Sequence, residues 1–223
     1  MAVNTTTTLR FAVMLTAANG FLDAYTYITR GHVFANVQTG NVILFAVELT
    51  HGHWGTTLAH LWPIFAFLLG VLLSAHIKSG RAEKLVSHPL RWTMGIQAVA
   101  FAVVGFVPDT VPNSFVTIPI SFLAAIQFTL FRSIGDLIYV AVATTGNLMR
   151  FVESAYSIYV DKDDEANPAF RVYGTLIATF SSGAVLGAFA SLYWGVRAVW
   201  LPAAFLAITV VFFIIDEREG KVP

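Results

Sequence analysis

The tripeptide Thr-Gly-Asn occurs twice in this chain, and its residue types suit the end of a helix that binds a small polar molecule. Thr39-Gly40-Asn41 opens one apolar run, and Thr145-Gly146-Asn147, 106 residues further on, opens another. Thr and Asn are common at helix N-termini, and Gly lets a ligand approach the backbone closely. A helix N-terminus presents unpaired N–H groups and a partial positive charge, which attract an anion or a dipole. Simple capping of two buried helices is the plainer alternative.

Asp23 is a second candidate, because it lies inside an otherwise apolar stretch. A charged side chain in the middle of a membrane helix costs at least about 2.5 kcal/mol, so it faces the protein interior or water and has a partner. Such a carboxyl group could hold a proton, a cation or part of a solute. The alternative is a hydrogen bond between helices that only fixes their packing.

Further polar side chains would complete a site between the two tripeptides. Arg132 offers a planar fork of donors to an anion, although an ion pair with Asp136, four residues on, is an equal alternative. The predicted solute-binding residues are Asp23, Tyr27, Gln38, Thr39, Gly40 and Asn41 in the first half and Gln127, Arg132, Thr145, Gly146 and Asn147 in the second.

The sequence predicts neither a metal site nor a cofactor nor a catalytic centre. His51-x-His53 is a weak metal signal. The absence of Cys excludes disulfides, thiolate ligands and thiol nucleophiles. A Gly-rich phosphate loop, a nucleophile elbow and a His-Glu zinc helix are also missing. We therefore expect a protein that is not an enzyme, with an intramembrane enzyme built around Asp23 as the weaker alternative.

The composition places these residues in a membrane. Hydrophobic residues make up 57% of the 223 residues and charged residues 12%, against about 25% charged in soluble proteins. The formal net charge is zero, so no nucleic-acid partner is expected. The expected partners are the lipid bilayer and an unknown small solute, anionic or dipolar. We predict an all-α integral membrane protein with a single membrane domain over residues 1–223.

Six segments are long and apolar enough to cross about 30 Å of hydrocarbon. They are residues 9–29, 57–77, 91–107, 115–135, 172–194 and 197–215. The helices that begin at the tripeptides are too short, since residues 39–49 span only about 16 Å at 1.5 Å per residue. Each follows an extended-looking stretch, residues 32–38 or 137–143. We interpret each strand and half-helix as a broken, re-entrant element surrounded by protein.

Basic residues orient these segments. The loop 78–91 holds Lys78, Arg81, Lys84 and Arg91, and the positive-inside rule places it in the cytoplasm. Six spans with re-entrant half-helices put both termini inside as well, where Arg10, Arg218 and Lys221 fit the same rule. If both half-helices crossed fully, eight spans would put both termini outside, which fits the rule less well.

The two halves of the chain repeat. Residues 20–31 align with residues 124–135 at a constant offset of 104, which sets Asp23 opposite Gln127. Small residues four apart, which permit close helix contact in lipid, also correspond: Gly70 and Ser74 match Gly183 and Gly187. The predicted repeats are residues 9–107 and 115–215. Three spans is an odd number, so the copies would be inverted, as in many secondary transporters with broken helices.

Several of these motifs resemble one family. Gly20-x-x-Asp23-Ala24-Tyr25, Gly31-x-x-Phe34 and Gln38-Thr39-Gly40-Asn41 resemble the YoaK family of bacterial inner-membrane proteins, which carry a domain of unknown function. The second-half pattern of that family is matched by Gln127, Phe131-Arg132, Gly135 and Thr144-Thr145-Gly146. Phe128 replaces a usual Asn, and Ser133 replaces a second Arg. The resemblance covers the whole chain and implies a multi-pass protein of the bacterial inner membrane, without a known substrate.

Taken together, these patterns predict a small-solute transporter or channel-like permease with a midplane site between two half-helix N-termini. The alternative is a structural or regulatory membrane subunit without transport activity. Coupled transport would need a titratable group such as Asp23, whereas a passive channel would tolerate Asn there. The sequence leaves open the identity of the solute and whether the protein forms a homo-oligomer.

Overall fold

Eight α-helices make up nearly all of the computed structural model, which describes residues 8–79 and 89–218. The first half contains α1 (Leu9–Thr29), α2 (Gln38–Thr50), α3 (Trp54–Lys78) and α4 (Pro89–Val104). The second half contains α5 (Ser114–Leu130), α6 (Thr145–Tyr159), α7 (Asn167–Trp194) and α8 (Trp200–Arg218). An antiparallel hairpin of β1 (Ser133–Ile134) and β2 (Leu137–Ile138) follows α5, and 3-10 turns lie at Asp164–Ala166 and Gly195–Val199. The predicted all-α class is confirmed.

Several predicted helix boundaries differ from the observed ones, and α3 begins at Trp54 rather than 57 while α4 ends at Val104 rather than 107. The segment predicted over 115–135 is too long, because α5 ends at Leu130 and the chain turns back at Gly135, whose φ is +55°. α7 begins five residues before the predicted 172, since Pro in its first turn suits a helix start. α8 begins at Trp200 rather than at 197, after the 3-10 turn.

Within residues 8–79 and 89–218, two helical stretches are long and apolar enough to cross a membrane by length and composition. They are Trp54–Lys78 and Asp164–Ile215, which contains α7 and most of α8. The stretches Arg91–Val104 and Ser114–Leu130 are apolar but shorter. The number of six spans and their orientation stay predictions, and the basic residues Arg81, Lys84 and Lys221 lie outside the described residues.

The distribution of polar and apolar side chains suits a lipid surrounding. Asn19, Arg30, Gln97 and Gln127 are at most 2% exposed. Large apolar side chains of α3 and α7 instead face outward: Leu68, Leu69, Leu72, Val185, Leu186, Phe189 and Leu192. An apolar surface of this extent is unfavourable in water but not in hydrocarbon.

The two halves interlock through their helix pairs. α1 packs along α7, and α5 packs along α3, so the first helix of each half lies on a helix of the other half. α2 lies on α3, α6 lies on α7, and α4 packs against α8. If each helix of the first half is replaced by the corresponding helix of the second half, and the reverse, the same helix pairs result. The packing therefore has the symmetry of a repeat.

Glycines bring the paired backbones close together. A Cβ atom added to Gly183 would lie 2.3 Å from the carbonyl oxygen of Ala17, and one on Gly187 would lie 2.5 Å from that of Phe21. Both partners advance by four residues, so α1 and α7 run parallel. A Cβ on Gly70 would lie 2.4 Å from the carbonyl oxygen of Phe122, which makes the contact of α3 with α5 equally close.

Candidate functional site

The two Asn residues of the repeated tripeptide make the same pair of hydrogen bonds. Asn41 Oδ1 accepts from the backbone N–H of Phe34 at 3.0 Å, and Asn41 Nδ2 donates to the carbonyl oxygen of the same residue. Asn147 Oδ1 accepts from Val140 N–H at 3.1 Å, and its Nδ2 donates to the Val140 carbonyl at 2.8 Å. Both side chains are fully buried. Each Asn therefore links the extended segment to the half-helix that follows it, and its predicted part in solute binding stays a prediction.

The tripeptides are not helix caps in the expected sense. α2 and α6 begin at Gln38 and Thr145, and neither Val37 nor Thr144, which precede them, makes a side-chain cap hydrogen bond. Thr39 and Thr145 are exposed. The Asn lies in the first turn and reaches back seven residues, because the extended segment has few backbone partners of its own.

The side chain of Asp23, in α1, lies at the N-terminus of α2. The sequence predicts a solute at this helix end. Asp23 is 6% exposed, and its Oδ1 accepts from the backbone N–H of Asn36 at 3.2 Å. The positive end of a helix dipole favours a carboxylate at this place. A carboxyl group of the chain itself thus already lies at this helix end, and the anionic or dipolar solute stays a prediction.

Two buried acceptor atoms beside this contact have no donor. They are Asp23 Oδ2 and Asn36 Oδ1, while the Asn36 amide nitrogen donates to the Asn19 carbonyl at 3.0 Å. An unpaired buried acceptor is costly, and most acquire a partner. A proton on the Asp23 carboxyl, a small cation or a donor group of a solute would give these two oxygen atoms a partner.

A groove of about 420 Å³ runs past Asp23 between α1, α2 and α7. Tyr27, which is 38% exposed, stacks on Phe34 in this groove with ring centroids 4.9 Å apart. The lining residues are Asp23, Ala24, Tyr27, Ile28, Phe34, Val37, Gly40, Phe180 and Ala184. Of the predicted site residues, the groove thus unites Asp23, Tyr27 and Gly40, in mostly apolar surroundings.

Gln38, which is half-buried, and Gln127, which is buried, belong to hydrogen-bond networks within the protein instead. Gln38 Nε2 donates to the Ala35 carbonyl at 3.1 Å, and its Oε1 accepts from Asn41 at 2.9 Å. Gln127 Oε1 accepts from Asn19 Nδ2 at 2.9 Å, and its Nε2 donates to Gln97 Oε1.

Asn19 and Gln97 were missed by the sequence reasoning, although a polar amide inside an apolar helix is itself a signal. Gln97 in turn donates to the Leu123 carbonyl at 3.3 Å, so the network joins α1, α4 and α5.

The second-half residues do not join the groove. None of the described cavities is lined by both tripeptides, and α2 and α6 share no packed interface in the described part of the chain. Arg132 is exposed, with its guanidinium carbon 5.2 Å from the ring centre of Phe128. Among the described residues it forms no ion pair with Asp136, because both lie on the hairpin rather than one turn apart on a helix.

Arg30 is a further residue that the sequence reasoning missed. It is fully buried, and its guanidinium donates to the carbonyl oxygens of Val107 at 2.7 Å and Pro108 at 3.2 Å. Its Nε also donates to the Tyr25 hydroxyl at 3.3 Å. These carbonyls follow the C-terminus of α4, where a helix dipole favours a cation. Arg30 therefore connects the C-terminal end of α1 to the loop between α4 and α5 through hydrogen bonds.

Comparison with known proteins bears on the identity of the chain. A family described as "Protein of unknown function (DUF1275)" matches residues 11–212. The chain is 26% identical over 220 residues to the "UPF0700 transmembrane protein YoaK" of Bacillus subtilis (strain 168), covering 96% of this chain and 94% of that protein. No solved structure gives a significant match. The resemblance to the YoaK family is confirmed, and the relative supports a membrane location. This chain is thus a membrane protein that belongs to the DUF1275 family.

Proposed function

We propose that the protein is a small-solute transporter or channel-like permease whose site is the groove beside Asp23. The observation that carries this proposal is the buried carboxyl group of Asp23, which has one oxygen without a partner and lies where a broken element meets α1. A buried ionisable group inside a membrane helix is expensive, and such groups mark ion and substrate paths.

The architecture of this proposal is six spans in two inverted repeats of the bacterial inner membrane. The interlocked pairs support it, since α1 with α7 corresponds to α5 with α3. The 13-residue α2 and 15-residue α6 support re-entrant half-helices, because about 20 Å and 22 Å of helix fall short of the hydrocarbon thickness. Alternating access would then move one pair of helices against the other.

The groove also limits the kind of solute. Ala24, Ile28, Val37 and Phe180 give it an apolar wall. Asp23 Oδ2 is buried and exposes no surface to the groove, so a hydrogen-bond donor of a solute would reach it only after the surrounding helices move. The apolar wall suits the apolar part of a solute and disfavours an anion. In a proton-coupled cycle, the Asp23 carboxyl would exchange its proton as the groove opened to each side; Tyr27 is the other titratable side chain in the lining.

A stabilisation screen followed by flux tests the proposal. Purified protein would be heated with a panel of small neutral, cationic and anionic solutes, and any solute that raises the midpoint of unfolding would be tested for uptake into liposomes. Uptake by protein-containing liposomes that exceeds uptake by empty ones is the expected result. Stabilising solutes that show no such uptake would contradict a transport function.

One observation favours the alternative, a structural or regulatory membrane subunit. The amide groups of Asn41, Asn147 and Gln127 are all engaged in bonds that fix packing. If the Asp23 carboxyl only fixed packing as well, Asp23→Asn would leave every flux unchanged. A loss of flux with retained folding would exclude that alternative.

A further inference from the structure

The turn between α2 and α3 gathers three side chains with metal-binding atoms. Glu48 lies in the last turn of α2, and His51 and His53 follow it. One ligand atom from each of the three residues lies within 4.8 Å of the others. His53 Nδ1 is 2.9 Å from Glu48 Oε2. The sequence reasoning considered the two His but overlooked Glu48, three residues before His51.

The turn itself is held in one conformation. Gly52 has a φ of +74°, a value that residues with a side chain rarely adopt. The backbone N–H of His53 donates to the carbonyl oxygen of Glu48 at 3.1 Å. The Thr56 hydroxyl is 2.8 Å from Glu48 Oε2 and 2.9 Å from the His53 carbonyl oxygen. The rings of His51 and His53 are 5.8 Å apart between centroids. The hydrogen bonds of the turn therefore fix the backbone positions from which the three ligand side chains extend towards one another.

We propose that Glu48, His51 and His53 form a binding site for a divalent transition-metal ion of the zinc type. Two nitrogen or oxygen ligands about 2.1 Å from a tetrahedral ion lie about 3.4 Å apart, so only small side-chain movements are needed. Imidazole and carboxylate ligands without sulfur suit Zn²⁺, Ni²⁺ and Cu²⁺. Both His are exposed and Glu48 is half-buried, which leaves the fourth position open to water.

A Glu side chain is ordinarily a carboxylate at neutral pH, the form that binds a metal. Glu48 Oε2 lies 2.8 Å from the Thr56 hydroxyl and 2.9 Å from His53 Nδ1, and a bound ion would replace the contact with His53. Thr56 also orients this carboxylate, as outer-shell hydrogen bonds do in metal sites. An ion bound here would join the C-terminal end of α2 to the start of α3 and so restrict movement of the half-helix. This inference does not depend on the proposed transport function.

Isothermal titration with Zn²⁺ on the full chain, purified and freed of any affinity tag, tests the site. The expected result is saturable binding of one ion per chain. Glu48→Gln, His51→Ala and His53→Ala should each weaken binding at least tenfold, because each removes a ligand. Thr56→Val keeps all three ligands but removes the hydroxyl beside the Glu48 carboxylate, and should weaken binding by about 10–100-fold.

His76→Ala is the matched control, because His76 is an exposed His at the other end of α3, about 34 Å along the helix from His53. It should bind Zn²⁺ as the unchanged protein does. Zn²⁺ should also raise the unfolding midpoint of the unchanged protein and of His76→Ala, but not that of the three ligand variants. Absence of saturable binding, or equal binding in the ligand variants, would overturn the proposal.

Discussion

At the scale of single residues, Asn41 and Asn147 of the repeated tripeptide stabilise the fold by hydrogen bonds that the Thr and Gly beside them do not make. Asn41→Ala would leave the N–H and C=O of Phe34 without a partner, and each unsatisfied buried group costs about 1–3 kcal/mol. Asn147→Ala would do the same to Val140. We expect both variants to lower the unfolding midpoint in detergent by similar amounts, while Thr39→Ala, at an exposed position, leaves it unchanged. An Asn41→Ala protein as stable as Thr39→Ala would contradict this role.

The two Gly residues of the tripeptides are equivalent in sequence but not in surroundings. A Cβ on Gly40 would lie 2.6 Å from the ring of Phe34, whereas one on Gly146 would lie 3.8 Å from Val140 Cγ2, an ordinary contact. Gly40→Ala should therefore destabilise the protein by about 1–3 kcal/mol through overpacking. Gly146→Ala should be tolerated. Thermal unfolding of the two variants side by side measures the difference, and equal midpoints would refute it.

At the scale of the elements, the contact of α1 with α7 depends on residues without side chains. Gly183→Ala should destabilise the protein by about 1–3 kcal/mol or more, because its Cβ would meet the Ala17 carbonyl at 2.3 Å and the backbones must separate. Gly95→Ala in α4 is the control, since nothing lies within 4 Å of a Cβ there. Unfolding in increasing denaturant compares them, and equal stability of the two variants would rule out the close contact.

Much of this element structure was predictable, for reasons that differ from helix to helix. The long apolar runs of α3 and α7 dictate helices in lipid, and the recurrence of Gly70 with Gly183 predicted close contacts. The hairpin after α5 was missed, although Arg132, Ser133, Gly135 and Asp136 interrupt the apolar run there and indicate a turn. The partners of Asn41 and Gln127 could not be found either, since Phe34 and Asn19 are brought to them by tertiary packing.

At the scale of the whole molecule, the number of spans can be tested because the chain has no Cys. Asp109 and Asp161 are exposed, in the segments between α4 and α5 and between α6 and α7. With six spans, a Cys at Asp161 should react only with a reagent that reaches the cytoplasm, and a Cys at Asp109 with an impermeant one outside. Asp109→Cys is outside in the eight-span arrangement as well, so it serves as the control. Labelling of Asp161→Cys from outside would contradict six spans.

Within a largely apolar core, a few buried polar side chains link the helices, while large apolar side chains of α3 and α7 face outward. Asn19, Gln97 and Gln127 join α1, α4 and α5 by hydrogen bonds. Asp23 lies one turn from Asn19 on the same helix and is linked to it through Asn36. The carboxyl group with the unpartnered oxygen is thus part of the network that holds the two halves together.

If the proposed transport is coupled to protons, Asp23 is the group that carries the proton, and Asp23→Asn tests this role of the site most directly. The measurement is uptake, with and without an imposed pH gradient, of the solute that the stabilisation screen identifies, in liposomes containing either protein. We expect Asp23→Asn to stay folded, to be stabilised by the solute and to exchange it, yet to lose gradient-driven accumulation, because an amide cannot release a proton. Gradient-driven uptake by Asp23→Asn equal to that of the unchanged protein would contradict the account and leave Asp23 as a packing residue.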